Sequence, residues 1–184
     1  MKVLAISGSL RDDSFNTNLL RAAAELAPGG VEVELWNGLK AVPPFDEDDE
    51  GEQAPSGVVE LYDAIAGADA LLFATPEYNS SIPGQLKNAI DWASRPKATA
   101  PIRNKPSAVI GASTGMFGAV WAQAELRKVL ASAGARVIEG ELPVPAAHTR
   151  FDEHGRLADA EIRERLAEIV QALVGATERL AVAA

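Results

Sequence analysis

Two short runs, Asp69–Thr75 (DALLFAT) and Ser107–Ala112 (SAVIGA), are apolar at nearly every position. A strand with one wet face alternates apolar and polar residues. A strand apolar throughout has to be covered on both faces, as central strands of parallel sheets are. Parallel strands need crossovers, and the stretches between the apolar runs read as helices. This pairing of runs and crossovers constrains the fold more than any other feature of the chain.

The alternation extends along the whole sequence. Lys2–Ser7 is a first apolar run, and residues 16–27 carry Leu19, Leu20, Ala23 and Leu26 at helical spacing before Pro28-Gly29-Gly30. Residues 31–36 alternate apolar and charged residues, the pattern of a half-buried strand near an edge. A Pro- and Asp-rich loop over residues 37–55 precedes a helix at about 58–66. Pro83-Gly84 opens a helix to about Ser94, residues 116–132 form another, and Arg136–Ile138 begins a fifth strand. Residues 143–157 read as irregular. In the last helix, about 159–180, Ile162, Leu166, Ile169, Val170, Leu173 and Leu180 share one face. Together these predict one α/β domain over residues 1–184, a five-stranded parallel sheet of order 2-1-3-4-5 with helices on both faces. Ligands of such sheets bind beyond the carboxyl ends of the strands, at the switch point between strands one and three.

Composition narrows the function classes. The 184 residues hold no cysteine, which excludes disulfides, thiolate metal sites and a cysteine nucleophile. The net charge of -9 repels nucleic acid phosphates. Part of the acidic excess lies in the run 46–52, read as a solvated loop. No run approaches the ~18 apolar residues of a membrane span, and MKVLAISGSL reads as a strand entering a loop rather than a signal peptide. The cytoplasm is the expected location.

Three loops at strand ends carry chemistry. Ser7–Asn16 (SGSLRDDSFN) leads into a helix start and offers Ser9, Ser14 and Arg11 beside free backbone N–H groups, a set suited to phosphate. Ser14 or Asn16 could equally cap that helix. Thr75–Gly84 (TPEYNSSIPG) places aromatic and amide side chains between two prolines, which suits a planar ring with polar edges or a rigid surface turn. Gly111–Gly115 (GASTG) matches GxSxG, the nucleophile elbow, but no HGGG-like oxyanion loop precedes it. His148 and His154, the only histidines, are read as surface residues. Lys87 and Asp91 read as a weak exposed i,i+4 pair. There is no GxxxxGK[ST] motif and no GxGxxG after the first strand.

GSLRDDSFN (8–16), ATPEYNSSIPGQLKNAIDW (74–92), GASTGMFGAVWAQAELRKVL (111–130) and FDEHGRLAD (151–159) resemble the NADPH-dependent FMN reductase family, the flavodoxin-like quinone, azo-dye and chromate reductases. The resemblance implies bound FMN, with NADPH or NADH as electron donor and a small acceptor such as a quinone, an azo compound, chromate or free flavin. It implies that Ser9, Arg11, Ser14, Phe15 and Asn16 hold the phosphate and adjoining ribityl chain. Pro76, Glu77, Tyr78 and Asn79 would border the isoalloxazine, and Ser113, Thr114 and Gly115 would close the third side. No side chain is singled out as catalytic and no metal is expected. A homodimer or tetramer is implied, using the helices after strands three and four; the apolar content of residues 116–132 supports this. Three other functions stay open: a flavodoxin-type electron carrier, a serine hydrolase using Ser113, and a flavin-free binding protein.

Overall fold

The computed structural model describes residues 1–183. Its strands are β1 (Lys2–Ser7), β2 (Glu32–Trp36), β3 (Ala70–Ala74), β4 (Pro106–Ala112), β5 (Arg136–Val137) and β6 (Pro143–Val144). Its helices are α1 (Phe15–Glu25), α2 (Ser56–Ala66), α3 (Gly84–Ala93), α4 (Val120–Ser132) and α5 (Ala160–Ala183). All strand pairs are parallel, and the order is β2-β1-β3-β4-β5, as the alternation predicted. Every residue of β3 and β4 is buried, whereas β2, at the edge, alternates exposed and half-buried positions.

Side chains alternate across the sheet and so build two cores. Val3, Ala5, Leu72 and Ile110 face α1 and α5, meeting Leu19, Leu20, Leu166 and Leu173. Leu4, Ile6, Leu71, Phe73 and Val109 face α2, α3 and α4, meeting Leu61, Leu86, Trp92 and Leu126. The Pro-rich stretch after β2 is fastened to the second layer by α3. Gln85 Nε2 donates to the Leu39 and Val42 carbonyls, and Asn88 Nδ2 and Trp92 Nε1 both donate to the Pro43 carbonyl. That stretch contains three short 3-10 turns, Gly38–Ala41, Glu47–Asp49 and Gly51–Gln53. Lys87 and Asp91 form the anticipated i,i+4 contact on the exposed side of α3.

Two predicted elements need correction. The fifth strand is split. β5 pairs with the start of β4 at Pro106–Arg136 and Ser107–Val137, and the chain then bows out. It returns as β6, which pairs with the end of β4 at Gly111–Pro143 and Ala112–Val144. The stretch read as irregular therefore begins with a strand, too short to show a period. The helix expected from Met116 starts at Val120, because Gly118 (φ 58°) and Ala119 (φ 61°) are left-handed. Gly118 also lies so close to β6 that a Cβ there would sit 2.6 Å from the Val144 nitrogen.

Among the described residues, no helix is long and apolar enough to cross a membrane, and no three His, Cys, Asp or Glu side chains group as metal ligands. Leu72 is fully buried at the centre of the sheet. Leu72→Ala is expected to lower unfolding free energy by about 2–5 kcal/mol. Urea unfolding of the two proteins checks this, and a loss below 1 kcal/mol would mean that the layer collapses around the gap.

Candidate functional site

The loops after β1, β3 and β4 emerge side by side because their strands are neighbours and parallel. Backbone hydrogen bonds continue the register past the strand ends: Gly8 N donates to the Ala74 carbonyl at 2.8 Å and Thr75 N to that of Ile110 at 3.0 Å. Gly8 lets the first loop pass close to its neighbours: a Cβ there would sit 2.9 Å from Leu86 Cδ2 and 3.4 Å from Pro76 Cδ, so the Leu86 side chain would have to shift.

In the first loop, Ser14 caps α1. It is buried and accepts from Thr17 N at 3.4 Å. Asn16 takes a different role from capping. Its side-chain nitrogen donates to the Ala112 carbonyl at 3.0 Å and its Oδ1 accepts from Ala112 N at 2.9 Å. Asn16 thus presents itself to the end of β4 as one more strand partner. The Phe15 ring lies against Phe151, with centroids 5.5 Å apart. Both side chains are engaged in the fold, so what Phe15 and Asn16 offer a ligand is their backbone N–H groups, which find no partner among the described residues. Ser9 is half-buried, and Arg11 is exposed, its guanidinium donating to the Asp13 carbonyl at 3.2 Å. An exposed cation, a hydroxyl and unpaired N–H groups at a helix start are a set chemically suited to an anion.

The second loop is a rigid wall with an exposed tip. Pro76 fixes its base. Tyr78 and Ser81 exchange backbone hydrogen bonds at 3.0 and 3.1 Å, closing a turn whose central residues, Asn79 (φ 52°) and Ser80 (φ 60°), are both left-handed. Tyr78 at its shoulder is 49% exposed. Glu77 is turned toward α4, where its Oε2 accepts from Trp121 N and Ala122 N, both at 3.1 Å.

The third loop is held from behind by the chain that follows β6. Ser113 N donates to the Val144 carbonyl at 3.1 Å, and the Ser113 and Gly115 carbonyls accept from Ala147 N and Ala146 N at 3.0 Å. Ser113 Oγ accepts from Gly115 N at 3.1 Å and has no other partner among the described residues. His148 and His154 are both exposed, and neither bonds to Ser113. The GxSxG match therefore folds as a tight turn with no assembled base. Thr114 and Gly115 face solvent.

The structure thus brings the three predicted segments together and adds features that sequence reasoning missed. The inter-loop roles of Asn16 and Glu77 connect residues 96 and 44–45 positions apart, so no local pattern could announce them. A cavity of about 410 Å³ opens on the β2 side of the first loop, where Ser9 and Arg11 meet Arg21, Trp36, Asn37 and Lys40. Arg21 and Lys40 come from separate elements, α1 and the turn after β2, so no local pattern announces the clustering of cations there.

Removing the Asn16 amide would leave the Ala112 N–H buried without a partner, at a cost of about 1–3 kcal/mol. Asn16→Ala is expected to destabilise the ligand-free protein by that amount, read as a lower urea midpoint at unchanged slope. An unaltered midpoint would show that the end of β4 finds other partners.

Comparison with known proteins agrees with this geometry. The sequence profile of the NADPH-dependent FMN reductase family matches residues 1–149. An NAD(P)H-dependent FMN reductase of Pseudomonas aeruginosa is 44% identical over 174 residues, covering 94% of this chain and 93% of its own. A 2-hydroxy-1,4-benzoquinone reductase of a Burkholderia species is 37% identical over 167 residues, covering 90% of each. Among solved structures, the flavoenzyme FerB of Paracoccus denitrificans, an NAD(P)H:(acceptor) oxidoreductase, superposes with a TM-score of 0.87 at 37% identity, covering 97% of each chain. The chain belongs to the NADPH-dependent FMN reductase family.

Proposed function

We propose that this chain, as one flavodoxin-like domain over residues 1–184, is an FMN-dependent oxidoreductase. It takes hydride from NADPH or NADH and delivers it to a quinone-like or other small acceptor. The observation that carries this reading is the convergence of three loops of different chemistry at the carboxyl ends of β1, β3 and β4. One end is an anion site built from Ser9, Arg11 and the N–H groups that open α1. Beside it stands the Pro76–Asn79 wall, and the third loop, after β4, adds the exposed Thr114 and Gly115. A phosphate on a short polar chain ending in a planar ring fits that order of groups, which favours FMN over a bare nucleotide.

Bound FMN would supply hydride acceptance and donation at its ring N5. Arg11 and the α1 N–H groups balance the charge of the phosphate. Pro76, without an N–H and with φ fixed, would give a bound ring a stiff neighbour. Thr114 would offer it an accessible hydroxyl and N–H. Tyr78, exposed at the loop's shoulder, would border the space that donor and acceptor need, in keeping with a ping-pong order. No side chain has to act as acid or base in this scheme, and Ser113 serves its own turn. The cytoplasm, where reduced nicotinamide cofactors circulate, suits this activity.

The test is to denature the purified protein, identify the released small molecule, and assay NADPH oxidation with benzoquinone under excess FMN. Flavin release and steady turnover are expected, and a short-chain nitrophenyl ester should go uncleaved. A protein that binds FMN without turnover would be an electron carrier, and one that cleaves the ester while binding no flavin would be a hydrolase. Arg11→Ala removes one charge-assisted contact worth about 1.5–3 kcal/mol, so FMN affinity should fall roughly ten- to a hundredfold. Titration of ligand-free protein reads that change directly.

The same reading includes a homodimer. Met116 and Phe117, in the turn before α4, and Trp121, in its first turn, are 76%, 53% and 48% exposed, and the Phe117 and Trp121 rings pack edge to face at 4.8 Å. Leu126 and Leu130, further along, are buried in the core. The apolar excess of this segment is therefore concentrated in one patch near the Tyr78 loop, and a second copy of the chain is its proposed occupant. Light scattering at micromolar concentration should give twice the monomer mass; a monomer mass would remove the dimer from this reading.

A further inference from the structure

We infer that Glu77 is a positioning residue: from the loop after β3 its carboxylate serves as the N-terminal cap of α4, and so fixes the spacing between the ring-bordering wall and the loop after β4. A helix leaves its first N–H groups without intrahelical partners, and the residue at the cap position normally accepts from the second or third of them through a side-chain oxygen. In α4 that position is Ala119, which has no such oxygen. It is 1% exposed and left-handed at φ 61°, and the preceding Gly118 is pressed onto the backbone of β6. The packing of β6 against this corner therefore leaves no room for a local cap. Glu77 replaces it from 44 residues away, accepting from Trp121 N and Ala122 N, the second and third residues of the helix. A carboxylate suits the place, because the start of a helix carries partial positive charge.

This contact is the sole polar link between residues 76–82 and α4 among the described residues. The last backbone tie of the second loop to β4 is Thr75 N to the Ile110 carbonyl, and the Tyr78–Ser81 bonds are internal to the turn. Pro76 on one side and the closed turn on the other leave Glu77 little slack, so the tether transmits to its neighbours. Released from it, the wall would keep its base at Thr75 and its closed turn but lose the polar tie that sets its spacing from α4 and the loop before it. A bound ring would then be gripped loosely, with the reacting atoms unchanged. The functional half of this inference rests on the flavin reading above; the structural half does not.

Three variants separate reach from charge. Glu77→Gln keeps the length and an acceptor oxygen, Glu77→Asp keeps the charge but is one methylene short, and Glu77→Ala loses both. Amide exchange in ligand-free protein reads the tether itself. Trp121 and Ala122 should exchange about tenfold faster or more in the Ala and Asp variants and near the wild-type rate in Gln. FMN affinity should fall about tenfold in Ala and Asp, with an altered visible circular dichroism of the bound flavin, and stay within about threefold in Gln. With excess FMN, acceptor KM should rise in the Ala and Asp variants while kcat stays within about threefold, the split expected when binding and not chemistry is affected. If the Ala variant does not fold, Asp against Gln carries the comparison. Unchanged exchange at both amides would overturn the inference. So would rescue by Asp and not by Gln, or a kcat collapse shared by Gln and Ala, which would give the carboxylate a direct chemical role. A wild type that binds no flavin would fail the flavin reading while the exchange data still decide the tether.

Discussion

Strand β4 has seven consecutive residues buried on both faces, and the rest of the architecture answers to that burial. Its backbone groups have to be paired inside the protein, because no water reaches them. β3 pairs one side along most of the strand's length. Past the end of β3, Asn16 continues that side with its amide at Ala112, and the other side is shared between β5 at the start and β6 at the end. With both faces occupied by the two cores, no side chain of β4 is left for chemistry. Function is pushed to the strand ends, and parallel pairing places the ends of β1, β3 and β4 next to one another.

What then holds the loops is a set of polar ties running between elements. Asn16 joins the first loop to the end of β4. Gln123, fully buried in α4, donates to the Gly118 carbonyl and accepts from Leu142 N, both at 3.1 Å, joining the corner before α4 to the segment entering β6. Glu77 joins the second loop to that same helix. Buried amides with every partner in place specify one arrangement, because any other leaves an unpaired polar group in a dry site. Loops fixed before a ligand arrives also lose little freedom when it binds, and binding keeps what ordering would have taken away.

The sequence made the layers legible because burial on two faces leaves a mark on every residue of a strand, and burial on one helix face repeats every three to four residues. The strand order, the edge position of β2 and the long final helix follow from those patterns. β6 was not legible, since two residues have no period. The start of α4 was misread because Met116–Ala119 continues the apolar content of the helix, and nothing local reveals that β6 forces Gly118 and Ala119 into left-handed backbone. In the site, residue types announced the chemistry of each loop but not which group of each residue would be available. Asn16 and Phe15 keep only their N–H groups free, and Glu77 faces a helix, because the partners that engage their side chains come from distant parts of the chain.

That division of labour bears on how such a site can vary. In the proposed site, backbone N–H groups do the general work of holding an anion, and they persist through most side-chain changes as long as Asn16 and Ser14 keep the turn in place. The side chains left exposed, Tyr78, Phe117 and Trp121, are those that the proposal gives to a reaction partner or a second copy. They are not independent of the second loop. Trp121 supplies one of the two N–H groups that Glu77 caps, so a residue of the exposed aromatic patch is hydrogen-bonded to the segment proposed to border the ring. A change that shifts this patch would shift the wall by the same bond.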